Sequence, residues 1–331
     1  MQPKKPEASH ILLRGKPGAL GPEVTPAVPA ILVKQQPEFA AAARTSGRRL
    51  SFAKWLAGGE NPLTARVIVN RVWMWHFGEG LVRTPSDFGL MGQAPTHPEL
   101  LDWLATRFVE EGWSFKKLHK LILTSNTWRM SKALRTEYQA ADPENRLLWR
   151  MPFKRLEVEA IRDAVLAVSG RLNPAMSGPS VFPAIPAQAL EGSSDPDKIW
   201  KASPEAEASR RSVYVFLKRS LIVPMFDALD LCDTARSAAQ RMTTTVPTQA
   251  LTLFNGEFVN QQARYLAERL RKDAADSDEA RITLAYRLAL ARKPADGELA
   301  AMKEFLAKDR ERGLEQVARV IFNLNEFVYV D

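Results

Sequence analysis

The chain has 331 residues, of which 45% are hydrophobic and 25% charged, a composition typical of a folded globular protein. This composition excludes a wholly disordered or collagen-like chain, and the single cysteine, Cys232, excludes an internal disulfide and a C-x-x-C-H haem-attachment motif. Lys and Arg exceed Asp and Glu by 46 − 38 = 8. No run of like charges is longer than two residues, so a mildly basic surface is favoured over an anionic partner. Of the anionic partners an acidic glycan fits better than a nucleic acid.

The N-terminal segment, residues 1–47, contains seven prolines and little helical periodicity. This pattern predicts an extended Pro-rich linker or arm without a core of its own, with a short strand at 9–14. A globular domain seldom begins in this way, so we expect a C-terminal piece of a larger protein. Residues 1–6 lack the apolar stretch of a signal peptide, and the longest uncharged segment, 172–190, contains four prolines, which argues against a membrane helix.

From residue 48 the apolar residues recur with helical spacing. The fold class predicted is mainly α: a multi-helix globular domain over 48–331, with at most a small β-sheet or hairpin and long Pro-rich loops. Residues 174–209 are too long for an ordinary loop and predict a surface excursion or a functional lid. Alternating apolar residues predict one strand at 211–218. Helices are predicted at 48–57, 62–77, from a Thr96 cap to Gly112, from Ser114 past Ile122, in a short turn at 142–149, and at 155–168, 247–254, 257–271, 278–291, 296–310 and 315–322.

The densest cluster of polar and aromatic residues lies between 70 and 97. His76 at a helix end, Asp87 in a turn and His97 at a helix start are candidate catalytic acid–base groups. Short connections join these three places, which predicts that His76 and Asp87 share a polar cleft with Arg71 or His97 at its edge. The structural alternative is that the histidines occupy cap regions and Asp87 forms an Asx-turn.

Three further residues of this cluster are candidate ligand-binding groups: Asn70, Arg71 and Trp73. Arg71 is a candidate anion clamp, and Trp73 and Trp75 offer aromatic surface that a sugar ring can stack on. Core packing is the alternative for at least one of the two tryptophans.

Other polar residues receive structural predictions. His119 could pair with Asp102 and is expected to be a structural histidine. Glu159 stands four residues from Arg155 and from Asp163 on the polar face of its helix, which also carries Arg162, so surface ion pairing is expected for it. Thr243–Gln249 predicts either simple capping or an anion seat at a helix start. No metal site or cofactor is predicted for this chain, because nothing in the spacing of His76, His97 and His119 requires zinc.

Several long motifs occur in one order: 61–73, 81–89, 95–104, 155–163, 210–214, 244–251 and 323–331. Together they resemble the PSD1 domain, also called DUF1553. The resemblance implies a large periplasmic, cell-surface or secreted protein of Planctomycetes and relatives. In such proteins this domain follows a DUF1549 domain, often with an upstream cytochrome-c-like domain whose haem motif would lie outside this chain. The resemblance supplies no activity and no catalytic residues.

The leading hypothesis is therefore an accessory or binding domain of an envelope-associated redox or polysaccharide-handling multi-domain protein. The first alternative is a carbohydrate-active enzyme with its site near Arg71, His76, Asp87 and His97. The second is a basic nucleic-acid-binding protein. The sequence leaves open whether the protein is an enzyme.

Overall fold

The computed structural model describes residues 7–41, 45–59, 61–191, 195–309 and 311–330. The predictions for residues 1–6, and for a helix end at Arg310, lie outside these residues. The chain divides into two compact units, Met1–Pro152 and Phe153–Asp331, and each is described by itself. The sequence suggested a division after residue 47 and not one after Pro152. The domain bounds 1–47 and 48–331 stay a prediction.

The described part of the N-terminal unit has one β-hairpin and five α-helices. They are β1 Ser9–Leu12, β2 Leu20–Val24, α1 Arg48–Ala57, α2 Thr64–Phe77, α3 Pro98–Glu110, α4 Phe115–Leu123 and α5 Thr136–Ala141. The hairpin is antiparallel, with Ser9 opposite Val24 and Leu12 opposite Leu20. Its apolar side chains are largely exposed, and Val28 is the one hydrophobic residue buried within the described residues 7–41.

The core of the N-terminal unit lies between α2, α3 and α4. Asn61 starts α2 by accepting the N–H groups of Leu63 at 2.9 Å and Thr64 at 3.2 Å. The buried side chains recur every three or four residues, so each helix presents one apolar face. They include Val69, Val72 and Phe77 of α2, Leu101, Leu104 and Phe108 of α3, and Leu118 and Ile122 of α4.

The described part of the C-terminal unit contains further helices and one two-stranded sheet. They are β3 Lys154–Arg155, α6 Val158–Ser169, α7 Pro196–Ile199, α8 Glu205–Ala208, α9 Pro224–Ala228, α10 Pro247–Asn255, α11 Glu257–Asp273, α12 Asp278–Leu290, α13 Asp296–Lys308, α14 Gly313–Phe322, α15 Asn325–Val328 and β4 Tyr329–Val330. β3 and β4 pair antiparallel. The core is built around α11, which buries Val259, Ala263 and Leu266 against residues of α6 and α14.

The mainly α fold class is confirmed, and the long predicted helices are present within about three residues of their predicted ends. Three local predictions are wrong. α3 begins at Pro98 with His97 in the cap position, because Thr96 instead bonds to the Leu81 carbonyl. No helical turn forms at 142–149, where Asp142 accepts the N–H groups of two later residues in non-helical turns.

The third wrong prediction is the strand at 211–218. A short 3-10 turn, Ser212–Tyr214, occupies its first half, and Val215 pairs with Val181 in an isolated bridge. The alternation of apolar residues is real, but an extended segment needs a neighbouring strand along its length to become a sheet. Among the described residues, no helix is long and apolar enough to cross a membrane.

Candidate functional site

Asn70 is fully buried and fixes the backbone of the loop after α2. Its Nδ2 donates to the Val82 carbonyl at 2.9 Å, and its Oδ1 accepts the Val82 N–H at 2.8 Å. A Cβ atom at Gly80 would lie 2.7 Å from the same amide, so the loop passes close to it. Two buried backbone groups thus find their partners in one side chain, which is a structural role.

The other two binding candidates, Trp73 and Arg71, differ in their exposure to solvent. Trp73 is buried and stacks on Phe77 with ring centroids 4.3 Å apart, so it belongs to the core. Arg71 is exposed. Trp75, on the same helix, is 55% exposed and offers aromatic surface to solvent.

His76 pairs with His119, a residue of α4. Its Nε2 lies 2.8 Å from Nδ1 of His119, and its ring meets Trp128 edge-on at 5.2 Å. One nitrogen of the pair must accept, so at least one of the two rings is neutral. The predicted pairing of His119 with Asp102 is wrong, because Asp102 forms an ion pair with Arg66 at 2.6 Å.

Asp87 and His97 have neighbours of their own. Oδ1 of the exposed Asp87 accepts the N–H of Gly89 at 2.8 Å, which is an Asx-turn. Nδ1 of His97 lies 3.0 Å from the Thr96 hydroxyl. The hydrogen bonds of Asp87 and His97 thus go to separate neighbouring residues, and the shared cleft stays a prediction. No group of three His, Cys, Asp or Glu side chains suited to a metal occurs within the described residues.

A cavity of about 510 Å³ lies in the C-terminal unit. This volume falls in the range of small-molecule sites. Its walls come from α6, from α9 and the residue before it, from the start of α11, and from the excursion at 174–209. Most of its lining is apolar and includes the side chains of Ile185, Met225, Phe226 and Phe258.

The excursion covers one side of this cavity and is held by buried groups. Arg210 donates to the carbonyl oxygens of Ala175 and Pro179, each at 3.2 Å, and also to that of Ser177. Trp200, which is 4% exposed, donates through Nε1 to the Pro183 carbonyl at 2.8 Å. The sequence predicted a surface excursion or a lid, and the structure shows residues 183–186 and 203–209 lining the cavity.

Arg162 is the buried cation of the cavity wall, with 3% of its surface exposed. Its Nη1 donates to the Arg210 carbonyl at 3.0 Å and the Ser212 hydroxyl at 3.1 Å, and its Nη2 donates to the Ala208 carbonyl at 2.5 Å. Burial lowers the pKa of Arg162 to about 10, and the nearby charge of Asp163 partly opposes this. The guanidinium is therefore still charged at neutral pH.

Sequence reasoning missed this arginine by placing it on the polar face of α6. A usable signal was present: Arg162 stands four residues after Val158 and four before Leu166, both of which are buried. A charged residue in phase with the apolar stripe of a helix is costly unless it has partners, so it marks either a polar network or a site.

The acidic residues of the cavity lie toward solvent. Glu205 accepts the Tyr265 hydroxyl at 2.6 Å and pairs with Arg171 at 3.1 Å. The Tyr265 hydrogen bond, opposed by desolvation and aided by Arg171, lowers the pKa of Glu205. Glu257, the other acid of the lining, is exposed at the start of α11. The cavity thus has a cation inside and carboxylates at its rim.

A second buried polar group joins β3, the turn after α9 and the start of α10. Arg155 forms an ion pair with Asp230 at 2.7 Å and donates to Gln249 Oε1 at 2.6 Å. The hydroxyl of Thr244 and the amide of Gln249 also donate to Asp230. For 243–249 the sequence predicted either helix capping or an anion seat at a helix start. In the structure, Thr244 and Gln249 of this segment bind the carboxylate of Asp230, which belongs to the same chain. Glu159 forms an ion pair, as predicted, but its partner is Arg241, which binds both oxygens at 2.7 and 2.8 Å, and not Arg155.

The family comparison covers most of the chain. A family model, PSD1, described as a protein of unknown function (DUF1553), matches residues 48–306. No curated protein and no solved structure matches the chain.

Proposed function

The chain belongs to the PSD1 (DUF1553) family, and we propose that it is a binding domain whose ligand site is the cavity of the C-terminal unit. The observation that carries this proposal is the cavity itself. It combines about 510 Å³ of space, an apolar lining and a buried guanidinium. A concave apolar pocket with a few placed polar groups is the usual form of a small-molecule site.

The lining favours an organic molecule with an apolar body over a sugar. A sugar exposes hydroxyl groups on every side, and each one left without a partner in an apolar site costs free energy. Met225, Phe226 and Phe258 offer no hydrogen bond to such groups. They favour alkyl or aromatic surface.

The wider role is part of the proposal and rests on the resemblance described above. We take the domain to be an accessory part of an envelope-associated redox or polysaccharide-handling protein, beside a DUF1549 domain and a cytochrome-c-like domain. A small-molecule site in an accessory domain fits the redox role better than the polysaccharide role, because the lining is apolar.

The carbohydrate-active enzyme stays the alternative, with its site in the other unit near Arg71, His76, Asp87 and His97. The exposed ring of Trp75 and the His76–His119 pair favour it. In that case Arg71→Ala and His76→Ala should abolish oligosaccharide binding or hydrolysis in protein that remains folded. Unchanged binding in folded variants would remove its support.

The binding proposal is tested by calorimetric titration of the full chain with 1-octanol, an uncharged apolar probe. We expect one site per chain. Ala228→Phe places a ring at the cavity wall and should weaken binding at least tenfold, whereas Ala301→Phe, on an exposed position of α13, should leave it unchanged. No binding of 1-octanol to the unchanged protein, or equal effects of the two substitutions, would overturn the proposal.

A further inference from the structure

Arg162 retains hydrogen-bonding capacity that the protein does not use. A guanidinium has five N–H donors. Three of them are directed to Arg210, Ser212 and Ala208. The remaining two, on Nε and Nη2, have no partner among the described hydrogen bonds. These two atoms share one edge of the planar group, the edge that can bind both oxygens of a carboxylate.

Arg162 also lacks a directly bonded anion in the part of the chain that the structure describes, although the charge of Asp163 is near enough to oppose the lowering of its pKa by burial. Its described partners are two carbonyl oxygens and one hydroxyl, and it forms no ion pair within the described residues. A buried cation is normally paired with an anion, because removal from water disfavours its charge. A bound anion would supply a directly bonded charge partner to this buried guanidinium.

Comparison with Arg210 distinguishes a ligand-binding role of Arg162 from a purely structural one. It is buried to the same 3% and bonds to carbonyl oxygens of the excursion. It does not appear in the lining of the cavity, whereas Arg162 does. Both arginines are buried and bond to carbonyl oxygens, and Nε of Arg210 also has no partner among the described residues. They differ in access to the cavity.

We infer that the ligand is an amphipathic monocarboxylate whose head group binds Arg162 and whose alkyl body fills the apolar cavity. This inference rests on the proposed function. The alkyl body packs against Met225, Phe226 and Phe258, and the guanidinium already lies 5.5 Å from the Phe258 ring centroid. The chemical class is that of medium-chain fatty acids.

The charges at the solvent side of the cavity favour a ligand with a single carboxylate. Glu257 places negative charge at the solvent side of the cavity, and Glu205, although paired with Arg171, adds a second carboxylate there. A second carboxylate at the far end of the ligand would lie near these groups and be repelled. A dicarboxylate of the same length should therefore bind less well than the monocarboxylate.

The experiment is calorimetric titration of the full chain at pH 7 with octanoate, 1-octanol and octanedioate. We expect octanoate to bind at least tenfold more tightly than 1-octanol, and octanedioate to bind more weakly than octanoate. Arg162→Gln should remove the preference of octanoate over 1-octanol, whereas Arg210→Gln should retain it. The preference is a ratio within one protein, so a general loss of stability does not mimic the effect.

Each outcome is decisive. If 1-octanol binds and octanoate is not preferred, or Arg162→Gln keeps the preference, this inference is overturned and the proposed function stands. If 1-octanol does not bind, the proposed function fails, and this inference, which rests on it, fails with it. Should Arg162→Gln not fold, Arg162→Lys serves instead: it keeps the charge but loses the two-donor edge, so the preference should shrink, and an undiminished preference counts against the inference.

Discussion

The polar cluster at 70–97 and the cavity of the C-terminal unit differ in how their residues were brought together. In the cluster, side chains form hydrogen bonds with backbone groups nearby in the sequence: Asn70 bonds to Val82, and Asp87 bonds to Gly89. In the cavity, residues from α6, α9, α11 and the excursion meet across up to a hundred positions of sequence. A dense polar motif can therefore mark demanding backbone geometry instead of a chemical site. The cavity of the C-terminal unit, by contrast, is assembled from residues that lie far apart in the sequence.

The strongest test of this contrast concerns a buried network that lies outside the cavity lining. Arg155→Leu leaves Asp230 without its cationic partner, and breaking a buried pair from one side costs about 3–5 kcal/mol. We expect the free energy of unfolding of the C-terminal unit to fall by that amount, measured by hydrogen exchange of its peptides. Arg241→Leu, which breaks the more exposed pair with Glu159, should cost about 1 kcal/mol. Equal losses would show that burial does not set the strength of these pairs.

The next largest effect distinguishes structure from binding in the 70–97 cluster. Asn70→Ala leaves the Val82 N–H and C=O buried without partners, so the N-terminal unit should lose about 2–3 kcal/mol. Hydrogen exchange of peptides from that unit measures the loss. Binding of 1-octanol should be unchanged. A stable Asn70→Ala protein with impaired ligand binding would instead make Asn70 a binding residue.

Some features of the fold and of the candidate sites could be predicted from the sequence, and others could not. Helix bounds were predictable because amphipathic spacing is local. Ser114 caps α4 as expected, and Asn61 accepts backbone N–H groups at the start of α2. The pairing of His76 with His119 was not, because it depends on how α2 and α4 pack. Arg162 was misplaced for a related reason: its partners stand at residues 208–212, and no local pattern reveals them.

A smaller effect should appear in acid. Desolvation acts to raise the pKa of Asp230, but hydrogen bonds from Thr244 and Arg155 outweigh it and hold the pKa below its ordinary value of 3.8. As the pH falls, Asp230 is therefore protonated first in the unfolded chain. The stability that its carboxylate contributes is present above the ordinary pKa of 3.8 and is lost as the pH falls through the lower pKa of the folded protein. In Asp230→Asn the free energy of unfolding should change less between pH 5 and pH 2, as followed by urea titration at each pH. Parallel pH profiles would contradict this role.

The smallest effect is expected at Asp87. Its carboxylate is exposed and accepts a single backbone N–H, so Asp87→Ala should cost less than about 1 kcal/mol in urea unfolding. Ligand binding in the other unit should not change. A loss as large as that of Asn70→Ala would mean that Asp87 has partners beyond the turn.

The central claim is that ligand binds in the C-terminal cavity and not in the 70–97 cluster. Hydrogen exchange of the full chain with and without saturating 1-octanol tests this most directly, because peptides from both places are followed in one sample. We predict slower exchange in α6, the cavity-lining residues 183–186 and 203–209 and the start of α11, with no change between residues 70 and 97. Protection confined to residues 70–97, with the C-terminal unit unchanged, would contradict it.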